Sequence, residues 1–154
     1  MHTIPTLGKE WRVSLDFKPT DYSNTTFTTL LHLIVGKDGG SYPVTAIFFD
    51  PEIGIFFDAE VNGGIRESTL TDRPPLGVWT SLEISQEKVG GKFVYRIVIG
   101  GEEFHSVENT QPEEFEDVKV YASSPWNPPQ PGSIKALLVQ TKLGQFYIPL
   151  LTVH

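Results

Sequence analysis

Val89-Gly90-Gly91-Lys92-Phe93-Val94-Tyr95-Arg96-Ile97-Val98-Ile99-Gly100-Gly101 holds the reading that decides the fold. Phe93, Tyr95, Ile97 and Ile99 alternate with Val94, Arg96 and Val98, a period of two that belongs to a strand and not to a helix. A Gly-Gly pair stands at each end, and two residues that accept positive φ are what a tight connection between antiparallel strands requires. Residues 78–86 before this stretch and 102–108 after it therefore read as its hairpin partners.

The same pattern runs outward in both directions. Trp11, Val13, Leu15 and Phe17 point one way while Arg12, Ser14 and Asp16 point the other, a half-buried strand that ends at Lys18-Pro19-Thr20-Asp21. Residues 29–35 are apolar on both faces and so predict a central strand. Residues 44–49 and 53–61 flank Asp50-Pro51-Glu52 as a hairpin closed further on by Asn62-Gly63-Gly64. Residues 115–122, 133–141 and 146–153 supply the remaining strands, which gives nine or ten in all and no helix. Many short strands without intervening helices predict an all-β, two-sheet antiparallel jelly roll, larger than a seven-strand immunoglobulin plan.

At 154 residues the chain is one domain's worth, expected to span residues 9–154 after a leader or added segment at residues 1–8. A net charge of −7 with no basic run argues against nucleic acid as a partner. The absence of Cys removes disulfides and thiolate chemistry, and no apolar run reaches the roughly 18 residues of a membrane-inserted helix. Asn24-Thr25-Thr26 is a glycosylation sequon, of use only if the chain is exported.

Trp79-Thr80-Ser81-Leu82-Glu83-Ile84-Ser85-Gln86, Tyr95 to Gly101, Val118-Lys119-Val120-Tyr121-Ala122 and Pro131-Gly132-Ser133-Ile134-Lys135-Ala136-Leu137, in that order, resemble the laminin-G-like branch of the concanavalin A-like lectin and glucanase superfamily. Residues 11–17 and 30–33 are similar to its opening strands, so the resemblance spans roughly residues 9–141. Ser133 to Leu137 departs from the more usual Arg-Asn-Leu after the Ile, at a place with no assigned role. The run Val107-Glu108-Asn109-Thr110-Gln111-Pro112 is similar to segments of secreted or cell-surface proteins. The resemblance implies a jelly roll with one concave sheet, whose face or rim loops bind glycans or protein partners outside the cell.

It does not imply an enzyme. Superfamily glucanases carry Glu-x-Asp-x-x-Glu on one strand, because retaining hydrolysis needs two carboxylates about 5 Å apart, and no such triplet occurs here. The nearest approach is Asp58 with Glu60, on one face of a strand about 6.5–7 Å apart. Asp58, Glu60 and Asn62 are candidate ligand contacts, the alternative being a solvated polar face. His32, in an apolar strand, is either a packed core residue or a ligand contact. Trp126 and Asn127 lie in Ser124-Pro125-Trp126-Asn127-Pro128-Pro129-Gln130-Pro131, where prolines stiffen a loop that either offers the indole to a sugar ring or folds it over the end of the sandwich. Trp11 and Trp79, at strand starts, are expected in the core, and His105 on the surface.

His2, His32, His105 and His154 show no metal-ligand spacing, and neither a Gly-x-Ser-x-Gly elbow nor a phosphate loop is present. Asp38 in Asp38-Gly39-Gly40 is the one oxygen donor on which a rim-loop calcium would rest, against a plain turn. The expectation is a non-catalytic, extracellular carbohydrate-binding module with glycans or glycoproteins as partners. A structural or adhesion module that binds proteins or forms a homo-oligomer is the alternative, and a hydrolase the third.

Overall fold

The computed structural model describes residues 2–22, 25–36, 42–62, 65–122, 127–142 and 144–148, and for residues 42, 43 and 65–70 the backbone only. Twelve strands are found among them: β1 His2–Leu7, β2 Trp11–Pro19, β3 Thr28–Val35, β4 Tyr42–Asp50, β5 Gly54–Val61, β6 Ile65–Thr71, β7 Thr80–Val89, β8 Lys92–Ile99, β9 Glu102–Asn109, β10 Phe115–Tyr121, β11 Gly132–Thr141 and β12 Gly144–Tyr147. They form two six-stranded antiparallel sheets. Sheet A runs β1-β10-β3-β4-β5-β6 and sheet B runs β12-β11-β2-β7-β8-β9.

The core is the alternation of the sequence made solid. Trp11, Val13, Leu15 and Phe17 of β2, Leu82 and Ile84 of β7, and Tyr95 and Ile97 of β8 turn inward from sheet B; Leu31, Leu33, Ile47, Phe49, Ile55 and Phe57 meet them from sheet A. The two layers touch directly where the Phe17 and Phe49 rings lie 5.5 Å apart. β3 is buried along nearly its whole length, as its doubly apolar sequence predicts, and it lies in the interior of sheet A between β10 and β4. Both Gly-Gly pairs form two-residue turns with positive φ at each glycine, 58° and 82° at Gly90 and Gly91, 60° and 83° at Gly100 and Gly101. These are the mirror-image turns whose twist matches a right-handed hairpin.

Three expectations are corrected. Residues 2–7, expected outside the domain, are part of its sheet: they pair with β10 as β1, and Ile4 and Leu7 are fully buried. Pro5 hid the strand, since proline is tolerated only at a sheet edge, which is where β1 lies. Trp79 is 39% exposed and outside the core. β7 begins at Thr80, opposite Phe17, so the parity that turns Leu82 and Ile84 inward turns Trp79 outward with Ser81 and Glu83. His105 stands opposite core residue Ile97, half-buried, with its ring edge-on to Tyr95 at 6.4 Å. A register shift between Ile97 and Val98 inserts one extra residue in β9 and reverses the alternation there.

The ends of the sandwich are held by polar side chains. At one, the amide of buried Gln130 donates to Asp21 O at 2.7 Å and Tyr22 Oη donates to Pro74 O at 2.5 Å. Burial pushes the Tyr22 hydroxyl up to about 12, against the opposing pull of the Arg73 guanidinium beside it. At the other end, Asn109 Oδ1 accepts from the Asn62 and Gln111 N–H groups, each at 3.0 Å. Asn109 Nδ2 donates to Gln86 Oε1 at 2.8 Å, and Gln86 Nε2 to Lys9 O at 2.8 Å.

Candidate functional site on the outer face of sheet A

The outer faces of the two sheets differ in kind. Part of the outer face of sheet B carries charged residues paired with one another: Arg12 with Glu83 at 3.7 Å and Glu87 at 2.5 Å, Arg96 with Glu103 at 2.5 Å. Such exposed pairs keep a face wet and add little stability. On sheet A, ladder registers align Tyr121 of β10, His32 of β3, Ala46 of β4, Asp58 of β5 and Ser68 of β6 across five strands. His32, Ala46 and Asp58 are 4%, 0% and 5% exposed, and none is a member of the apolar cluster between the sheets.

The next row along this face is aromatic. Phe48 stands opposite Phe56, both on the side away from core residues Phe49 and Phe57, and the His32 ring meets Phe48 edge-on at 5.5 Å. The Phe48-Phe49 and Phe56-Phe57 doublets thus send one aromatic to each face. An imidazole and a carboxylate on either side of an alanine methyl, bordered by two phenyl rings, combine hydrogen-bonding groups with apolar surface. That is the mixture that holds a hydroxylated ring by its edge and its C–H face.

The candidate residues divide as follows. His32 and Asp58 are brought into one row, and each is already engaged in a side-chain interaction. Glu60 lies one step further along β5, opposite Arg66 in the ladder, and lines a small space at the end of the sandwich with Trp11, Asn109 and Glu113. Asn62, in a turn with φ 52°, accepts from Thr110 N at 2.7 Å and Oγ1 at 2.9 Å, so its oxygen serves the chain closure. Asn127 opens a segment laid beside β3, where Thr29 N donates to Pro128 O and Gln130 N to Thr29 O, both at 3.0 Å. Trp126, Asp38 and Asn24 lie outside the described residues. Among the described residues no group of three or more His, Asp or Glu side chains is placed to hold a metal ion. Phe48, Phe56 and Tyr121 were not singled out from sequence; the two Phe-Phe doublets were the signal that could have found the first pair.

Burial raises the Glu60 carboxyl above the ordinary carboxylate range, and the like charge of Glu113 raises it further. A carboxyl whose folded value is raised favours the folded state while it stays protonated, and that contribution is lost as pH rises through the raised value. Glu60→Gln and Glu113→Gln are therefore expected to raise the melting temperature at pH 7, with the gain disappearing below about pH 4, where unfolded Glu is also protonated. Thermal melts at both pH values check this; equal gains at pH 4 and pH 7 would refute it.

An antiparallel sandwich of two six-stranded sheets with one unbroken outer face of this kind is a concanavalin A-like jelly roll. No protein-family model matches the chain, and no curated protein matches it in sequence. Solved structures do match in fold. A double variant of human galectin-16 superimposes with a TM-score of 0.59 at 14% identity, covering 91% of this chain and 94% of that one. A family 7 alginate lyase in complex with substrate gives 0.56 at 12% identity, covering 96% of this chain and 66% of the lyase. One fold therefore serves a galectin and a lyase, and fold alone assigns neither job to this chain.

Proposed function

We propose that the protein is a non-catalytic, extracellular carbohydrate-binding module that takes a glycan on the outer face of sheet A. One observation carries this reading: the His32–Ala46–Asp58 row of sheet A, with Phe48 and Phe56 beside it, sets polar and aromatic side chains together on the side away from the inter-sheet cluster. Asp58 and His32 would hydrogen-bond ring hydroxyls, the phenyl rings would cover a sugar's apolar face, and Asn127 would border the site from the segment beside β3. The superposition on a galectin supports a lectin fold.

Catalysis has less support. Asp58 lies in the His32 row while Glu60 faces Glu113 at the end of the sandwich, so the two carboxylates have different neighbours. The test is a glycan array with the purified chain, run with calcium and with chelator, followed by titration of the best sugar. Wild type is expected to bind a defined sugar set, and Asp58→Asn and His32→Ala to bind it at least tenfold more weakly while melting cooperatively. Unchanged affinity in both folded variants, or a blank array with folded protein, overturns the site. Turnover of alginate or β-glucan by the wild type overturns the non-catalytic reading. Export is tested separately by expression through a secretory route, where enzymatic deglycosylation should lower the mass if Asn24 is used.

A further inference from the structure

Trp79, on the outer parity of sheet B, has two lysine ammonium groups against its ring. Lys135 Nζ lies 4.0 Å and Lys18 Nζ 5.0 Å from its ring centroid. Among the described cations of this sheet, Arg12 pairs with Glu83 and Glu87, Arg96 with Glu103, and Lys92 with Glu108, while Lys88 stands over the Phe93 ring at 5.8 Å. Lys18 and Lys135 form no ion pair among the described residues, although Asp16 stands opposite Lys135 in the ladder. On a chain of net charge −7, two ammonium groups thus stand beside a partly exposed indole rather than in an ion pair among the described residues.

The local backbone prepares the position. Gly77, at φ 73°, donates its N–H to Pro19 O at 2.8 Å, which fixes the approach to β7 against the end of β2. Leu76 and Val78 on the same approach are 52% and 50% exposed. β2 lies between β11 and β7 in the interior of sheet B, so its backbone groups are used in the ladders and no free edge is offered to an extended peptide. Recognition here has to work through side chains: a flat aromatic surface and two ammonium groups.

We infer that Trp79, Lys18 and Lys135 form a second binding site, on the opposite sheet from the first, for an anionic polysaccharide. A sugar ring stacks its C–H face on the indole, and its carboxylate or sulfate groups draw the ammonium groups off the ring into charge-assisted hydrogen bonds. Uronate and sulfate-ester polymers share this chemistry. The acidic remainder of the chain repels polyanions, so binding depends on these three side chains and weakens with salt.

The test is calorimetric titration of the intact protein at low and high salt with a polyuronate, a sulfated dextran and neutral dextran. Sedimentation with anionic phospholipid vesicles runs in parallel. One or both polyanions are expected to bind and neutral dextran not to, the two polyanion arms telling carboxylate from sulfate. Lys18→Gln with Lys135→Gln should lower the affinity at least tenfold, and Trp79→Ala several-fold, with Trp79→Phe intermediate. Asp58→Asn should leave this affinity unchanged, which separates the site from the one on sheet A. Retention of full affinity by either the lysine pair or Trp79→Ala, failure of both polyanions to bind at low salt, or sedimentation with vesicles alone would overturn the inference.

Discussion

Asn109→Ala will destabilise the protein by about 3 kcal/mol while leaving both hydrophobic inner faces intact. The side chain is 4% exposed and joins segments from both sheets: its oxygen takes the N–H groups of Asn62 and Gln111, and its amide supplies Gln86 Oε1. Alanine strands these three groups, and each buried polar group left unsatisfied costs about 1–3 kcal/mol, reduced where water can enter. Asn62 depends on the contact a second way, because its φ of 52° is a conformation that few residues other than Gly and Asn hold at low cost. Asn109→Asp separates the contributions. The carboxylate keeps both acceptor contacts but sets a second acceptor against Gln86 Oε1, and a proton there supplies the missing donor, so its stability relative to wild type should improve as pH falls. Urea unfolding at pH 7 and pH 5 measures both variants. A loss under 1 kcal/mol for Asn109→Ala would show that the closure is held by backbone pairing alone.

That end of the sandwich illustrates what the sequence tells and where it falls silent. Val107-Glu108-Asn109-Thr110-Gln111-Pro112 stands out as a resemblance, but only the structure shows that Asn109 works inside the fold, since hydrogen-bond partners distant in sequence leave no periodic trace. Alternation was legible wherever one face is apolar: β2 and β8 are where the pattern puts them. It failed at β6, where Ile65-Arg66-Glu67-Ser68-Thr69-Leu70-Thr71 has polar residues at both parities, and at β9, where one extra residue reverses the faces. Trp79 is a different failure. Counting back from Leu82 and Ile84 sets it on the outer parity, whereas its place at a strand start was the ground for expecting it in the core; two lysine ammonium groups stand against its ring. For the sheet A surface, the outward parity of Asp58 and Glu60 was legible, whereas the alignment of His32 with Asp58 across β4 depends on registers that long-range pairing sets.

Gly54→Ala is expected to cost about 4 kcal/mol, the largest effect of any single-methyl change considered. Gly54 follows the Asp50 turn, in which Asp50 Oδ1 accepts from the Glu52 and Ile53 N–H groups, and it starts β5 with φ 148°. A Cβ there would sit 2.2 Å from the carbonyl oxygen of Thr71. That oxygen belongs to the backbone of β6, whose Thr71 pairs with Ile55, so relief requires moving a strand and not a side chain. Backbone strain and overpacking are each worth about 1–3 kcal/mol. Gly77→Ala is the control: its φ of 73° is also unfavourable to alanine, but an added Cβ meets nothing within 4 Å, so about 1 kcal/mol of conformational cost is all that remains. At this chain length the Gly54 variant should melt roughly 10 °C below wild type and the Gly77 variant within a few degrees of it. β5 carries Asp58 four residues on, so the distortion reaches the proposed site on sheet A. Equal melting temperatures for the two variants would mean that β6 yields to the methyl, and that the outer face of sheet A is softer than its ladders imply.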